Sequence, residues 1–104
     1  MSKVTVEAGI CGFVTTIDAF LEDKHNVRLV IETDCPSLKP MTEELTTVDG
    51  MKECFSKIGE SMVFQIIRKY CKHAACPVPT AIIKGIEVAC NFALPKDVKM
   101  NIIK

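Results

Sequence analysis

The chain reads as an α+β domain, an antiparallel β-meander followed by helices that cover one of its faces. Three observations predict this. Residues 3–33 alternate apolar and polar side chains in three runs separated by short polar or glycine-bearing turns; residues from Ser37 to Ala93 carry apolar side chains at helical spacing; and Val98 to Ile102 alternate once more. With 104 residues, 48% of them apolar, the chain supplies one hydrophobic core and one domain.

Val4, Val6 and Ala8 oppose Lys3, Thr5 and Glu7, which makes Lys3–Ala8 a strand with one wet face. Gly9-Ile10-Cys11-Gly12 breaks it with a tight turn that places Cys11 at a chain reversal. Alternation resumes from Phe13 to Glu22, reverses at Asp23-Lys24-His25-Asn26, and continues from Val27 to Glu32. His25 reads as a solvated turn residue, and Asp18 as a side chain facing water. Pro36 then stops the ladder and Ser37 caps a short helix to about Leu45, so Cys35 stands at a strand-to-helix junction.

Asp49 has the position of an N-cap for a helix bearing Met51, Cys54, Phe55 and Ile58, and Met62, Val63, Ile66, Ile67 and Tyr70 extend the pattern past Gly59. Cys76-Pro77-Val78-Pro79 opens the last helix, with Ile82, Ile83, Ile86, Ala89, Cys90 and Ala93 as its apolar residues, because proline fits only the first helical turn. Val98, Met100 and Ile102 form the expected C-terminal strand. The sequence contains no internal repeat or linker.

The formal net charge is zero and no basic stripe is present, which argues against nucleic acid as a partner. No apolar run approaches the length of a signal peptide or a membrane span, so a cytoplasmic protein is the expectation. Trp is absent and Tyr occurs once, against a stacking platform for bases or sugars. Apolar residues outside the core positions permit a homodimer.

The six cysteines sort by context. Cys54 and Cys90 lie in helical apolar stripes and read as small core residues. Cys71 either ends a helix or joins Cys76 across the turn. Cys11, Cys35 and Cys76 each stand beside Gly or Pro at the end of an element. Cys76 is the strongest candidate for a reactive thiolate: free N–H groups and the positive end of the helix dipole favour negative charge there, and Lys72 and His73 add positive potential. In a reducing compartment, metal or sulfur chemistry explains such cysteines better than disulfides do. Asp34 reads first as a helix cap, and as a carboxylate close to any ion that Cys35 holds. No nucleophile, base and orienting acid can be assembled, so a carrier is expected and an enzyme is not.

The order of these residues resembles the IscU/NifU-type iron–sulfur cluster assembly scaffolds over roughly residues 3 to 92. Ala8-Gly9-Ile10-Cys11-Gly12 resembles that family's first cysteine, Asp34-Cys35 its second, and His73-Ala74-Ala75-Cys76 leading into Ala81–Ile86 its third. The resemblance implies that Cys11, Cys35 and Cys76 converge at one end of the domain to hold an iron–sulfur cluster or Zn. A fourth ligand would come from His73, Asp34, Cys71, water or a partner. It further implies a cysteine desulfurase or an iron–sulfur client protein as partner. Phe13 stands where that family usually has an aspartate, and Ala75 where its histidine touches the third cysteine. Cys76-Pro77-Val78-Pro79 also resembles the motif of TusA/SirA-type sulfur carriers, which implies Cys76 as the sulfur acceptor carrying a persulfide.

Overall fold

The period-two alternation of the first third of the chain builds the sheet. A computed structural model describes residues 1–104. In it β1 (Ser2–Glu7), β2 (Val14–Asp23) and β3 (Asn26–Thr33) form an antiparallel meander, with Val4 opposite Ile17 and Ile17 opposite Ile31. The inward set of β2 and β3 is Thr15, Ile17, Ala19, Val27, Leu29 and Ile31, all buried. The outward face carries no helix: Arg28 lies over the Phe20 ring at 4.4 Å and pairs with Glu22, and Lys3 faces Asp18 at 3.6 Å. Asp18, expected to face water, is instead partly buried: it stands opposite Lys3, but its Oδ1 is shielded from solvent and accepts no hydrogen bond.

The segment after β3 is less helical than its sequence predicts. Residues 36–40 are turns, and α1 is only Met41–Glu44, although Leu38, Met41 and Leu45 are buried as the helical spacing required. A strand with no sequence expectation follows: β4 (Thr47–Asp49), three residues paired to β3 with Val48 opposite Val27. The sheet order is β1-β2-β3-β4.

Asp49 caps α2 (Gly50–Phe55) as expected, accepting the Met51 N–H at 3.0 Å and the Lys52 N–H at 3.3 Å. The apolar stripe drawn from Met51 through Tyr70 is not one helix. Gly59 adopts φ +89, and α3 (Met62–Ile67) starts afresh, leaving Ile58 91% exposed. The buried Glu53 carboxylate bridges the break by accepting the Met62 N–H at 2.9 Å and the Val63 N–H at 2.7 Å.

The last helix, α4 (Val78–Ala89), crosses the meander and lies on β1 and β2. Val78, Ile82, Ile86 and Ala89 point into the core, and burial of each isoleucine contributes about 1.5–3 kcal/mol. Close approach requires Gly85: a Cβ there would meet Val4 at 3.1 Å, and its carbonyl accepts the Ser2 hydroxyl at 2.6 Å.

The expected C-terminal strand does not form, and residues 95–104 carry no regular structure. The chain leaves α4 through Asn91 at φ 62 and Pro95, and the residues that follow pair with no strand of the sheet. Alternation specifies a strand only where an edge is in reach.

Candidate thiol site

The pole of the sheet where β2 begins and β3 ends is set by paired hydrogen bonds. Thr15 is opposite Thr33, their hydroxyls are 2.7 Å apart, and the Asp34 N–H donates to the Val14 carbonyl at 3.0 Å. Asp34 does not cap a helix; its carboxylate accepts the Val14 N–H at 3.4 Å and so closes the ladder. The Cys35 N–H donates to the Thr33 hydroxyl at 3.2 Å, and its carbonyl accepts from Leu38 and Lys39, each at 3.1 Å. Cys35 is thereby held from both sides, half-buried against the core.

Cys71 and Cys76 come from the loop between α3 and α4. The Cys71 N–H donates to the Ile67 carbonyl at 2.8 Å, and a surface clamp fixes the same stretch, with Lys69 paired to Glu44 and the Tyr70 hydroxyl on that carboxylate at 2.5 Å. Lys69 and Tyr70 hold the Glu44 carboxyl below the usual carboxylate range. The clamp ties α1, which follows Cys35, to the loop that carries Cys71. One carbonyl then gathers both loop cysteines: His73 O accepts the Cys71 thiol at 3.4 Å and the Cys76 N–H at 3.1 Å.

The electrostatics of Cys76 reverse the sequence expectation. Burial pushes its thiol up, to about 11; the Val78 N–H at the helix start opposes this, and the adjoining thiols of Cys71 and Cys35 reinforce it. Lys72 and His73 are exposed and do not contribute. In the isolated chain Cys76 is a neutral thiol at neutral pH, because desolvation against the core outweighs one helix N–H.

Cys71 and Cys76 are therefore brought together, with Cys35 near enough for its charge to act on Cys76, whereas the expected set of Cys11, Cys35, Cys76 and His73 is not assembled. Cys11 sits in the Gly9–Gly12 turn, where the Gly12 N–H donates to the Gly9 carbonyl at 2.9 Å, and its side chain is exposed. The turn belongs to the same pole, since Glu7 pairs with Val14 and Val14 with Asp34, yet Cys11 is not among the thiols that act on Cys76. His73 contributes its carbonyl and exposes its ring. No three His, Cys, Asp or Glu side chains stand at ligand distance around a common point. The donors at the pole fit a soft metal in type, while a finished coordination shell is not built into the chain.

Across the molecule, Cys54 and Cys90 form a second thiol neighbourhood with the core character expected of them. Burial, then Glu87, Cys90 and Glu53, push Cys54 up to about 12, and burial followed by Asp49 raises Cys90. His25, expected in solvent, has Phe92 beside it with ring centroids 5.8 Å apart. Sequence reasoning missed two carboxylates that organise the fold, Glu44 and Glu53. Each lies on a helical segment where a glutamate ordinarily signals only a solvated face, so no pattern distinguished them.

The profile of a family of unknown function, DUF6951, matches residues 2–102 of this sequence. The chain belongs to that family. No curated protein and no solved structure matches it. No helix is long and apolar enough to cross a membrane.

Proposed function

We propose that this DUF6951 member is a thiol-based binding protein for a soft metal ion or a nascent iron–sulfur cluster, acting in cluster assembly or sulfur transfer. The observation that carries the reading is the gathering of Cys71 and Cys76 in the α3–α4 loop beside Cys35 at the end of β3, two separate segments of the chain that meet at one pole. Three sulfurs leave a tetrahedral ion one position short, and Cys11, in the turn at the same pole, is the residue of this chain we assign to it. The raised Cys76 pKa is consistent with a site completed by its cargo, because ligation demands deprotonated thiols and binding releases protons.

The protein's own part is to hold the sulfurs. Thr33 and the Leu38 and Lys39 N–H groups fix Cys35, the His73 carbonyl draws in Cys71 and Cys76, and the Glu44 clamp keeps the two halves in register. A second reading, persulfide carriage on Cys76 alone, rests on its place immediately before α4 with the Val78 N–H favouring its charged form. A cysteine desulfurase or iron–sulfur client is the partner that either reading requires.

Anaerobic titration with Zn²⁺ and with Co²⁺, followed by thiolate-to-cobalt absorption and elemental analysis, separates the two. The metal reading expects stoichiometric binding that is lost in Cys35→Ala, Cys71→Ala and Cys76→Ala and weakened in Cys11→Ala. Absence of stoichiometric metal, with labelled sulfur from a desulfurase retained on Cys76 in a Cys35→Ala background, would replace it with the persulfide reading. Neither metal nor sulfur on the wild-type chain overturns both.

A further inference from the structure

The segment after α4 belongs to no helix or strand and exposes an alternating apolar row. Val98 is 63% exposed, Met100 78% and Ile102 85%. The opposite side of the sheet order has a matching vacancy. β1 hydrogen-bonds only to β2, its outer edge is unpaired, and it carries neither a proline nor a bulge to blunt that edge. Val4 and Val6, facing the helix side of the edge, are only half-buried.

We propose that residues 98–103 of one chain add to β1 of a second copy as an antiparallel strand, reciprocally, giving a two-fold homodimer with two extended sheets. Register selects the pairing. With Val4 opposite Ile102, Val6 opposite Met100 and Ala8 opposite Val98, the apolar rows share the helix side, while Thr5 meets Asn101 and Glu7 meets Lys99 on the wet side. Sliding the added strand by two residues sets Glu7 against Asp97, and by two more sets Lys3 against Lys99. Like charges disfavour both of these registers, and a slide of two residues the other way loses the Glu7–Lys99 pair by setting Glu7 against Asn101. Glu7 and Lys99 are exposed and neither takes part in an ion pair within the chain.

A second copy is the occupant because of direction. α4 delivers the chain beside the β2–β3 turn, where Phe92 meets His25, and β1 starts at that same pole, Ser2 lying opposite Ala19. Running back along its own β1 the segment would be parallel to it, without the antiparallel opposition of Glu7 to Lys99. In a two-fold pair each chain gives a strand and receives one, so the interface closes.

The test is sedimentation velocity on the full chain, the Glu7→Lys chain, the Lys99→Glu chain and an equimolar mixture of those two, with circular dichroism to establish that each is folded. The wild type is expected to be a dimer at micromolar concentration. Each variant alone sets like charges at both added strands and weakens the dimer by roughly tenfold or more. The mixture restores both opposite-charge pairs in trans and recovers the wild-type affinity. A monomeric wild type, a dimer indifferent to both variants, or a mixture that fails to recover overturns the proposal; the last two outcomes point to another surface.

Discussion

At the scale of single residues, packing and hydrogen bonding decide what each polar group does, and the thiols show this most directly. Cys11 is exposed in its turn, while Cys54, Cys76 and Cys90 are held protonated by burial. Alkylation with iodoacetamide near neutral pH, followed by mass spectrometry, is expected to label Cys11 first and Cys54 and Cys90 last; labelling of Cys76 as rapid as that of Cys11 would contradict the burial assigned to it. Glu53 carries two backbone N–H groups at the start of α3, so Glu53→Ala is expected to cost roughly 2–3 kcal/mol in urea unfolding, and Glu53→Gln less. At Gly50 an added Cβ would lie 2.5 Å from the Cys90 sulfur and 3.2 Å from the His25 carbonyl oxygen. Gly50→Ala should therefore destabilise by about 1–3 kcal/mol, and Cys90→Ala in the same chain should recover part of the loss because it removes the closer obstacle.

Among the elements, those with a long unbroken period were legible in the sequence and those fixed by one residue were not. The meander followed from alternation through Ile17, Ala19, Val27 and Leu29, and α4 from its proline-bearing first turn and the Ile82 and Ile86 stripe. Ile82→Ala is expected to cost about 2–5 kcal/mol by leaving a cavity between α4 and the sheet. The split between α2 and α3 turned on the positive φ of Gly59 and on Glu53 reaching across it, a tertiary contact with no local pattern. Three-residue β4 was too short to show a period, and residues 98–102 showed one that pairs with no strand within the chain. Alkali should act on the helical layer. The native fold keeps protons on Cys54 and Cys76 that the unfolded chain gives up near the ordinary thiol value of 9.0, so stability is full below about pH 9 and falls as pH rises toward 11 and 12. Urea midpoints measured across that window should decline, and Cys54→Ala should make the decline shallower.

For the molecule as a whole, the candidate site was legible as a pole but not as a set. Gly and Pro beside Cys11, Cys35 and Cys76 marked three chain reversals, and two of these thiols, Cys35 and Cys76, lie near enough for the charge of one to act on the other. That Cys71 lies beside Cys76 follows from the His73 carbonyl, which both residues reach, and the Glu44 clamp ties α1 to the α3–α4 loop that carries them. Both are contacts between side chains and distant backbone, and spacing along a sequence carries no trace of them. Helix dipole reasoning likewise misjudged the acidity of Cys76 because it weighed the charge at the helix start without the apolar surroundings.

The bond from Ser2 to Gly85 spans 83 positions and joins the earliest strand to the final helix. During synthesis the hairpins emerge first with their greasy side uncovered, and the part over β1 and β2 stays open until α4 has left the ribosome. A nascent chain arrested before residue 78 should consequently be protease-sensitive and prone to associate, and resistance should appear abruptly once the stretch through Ala89 is released.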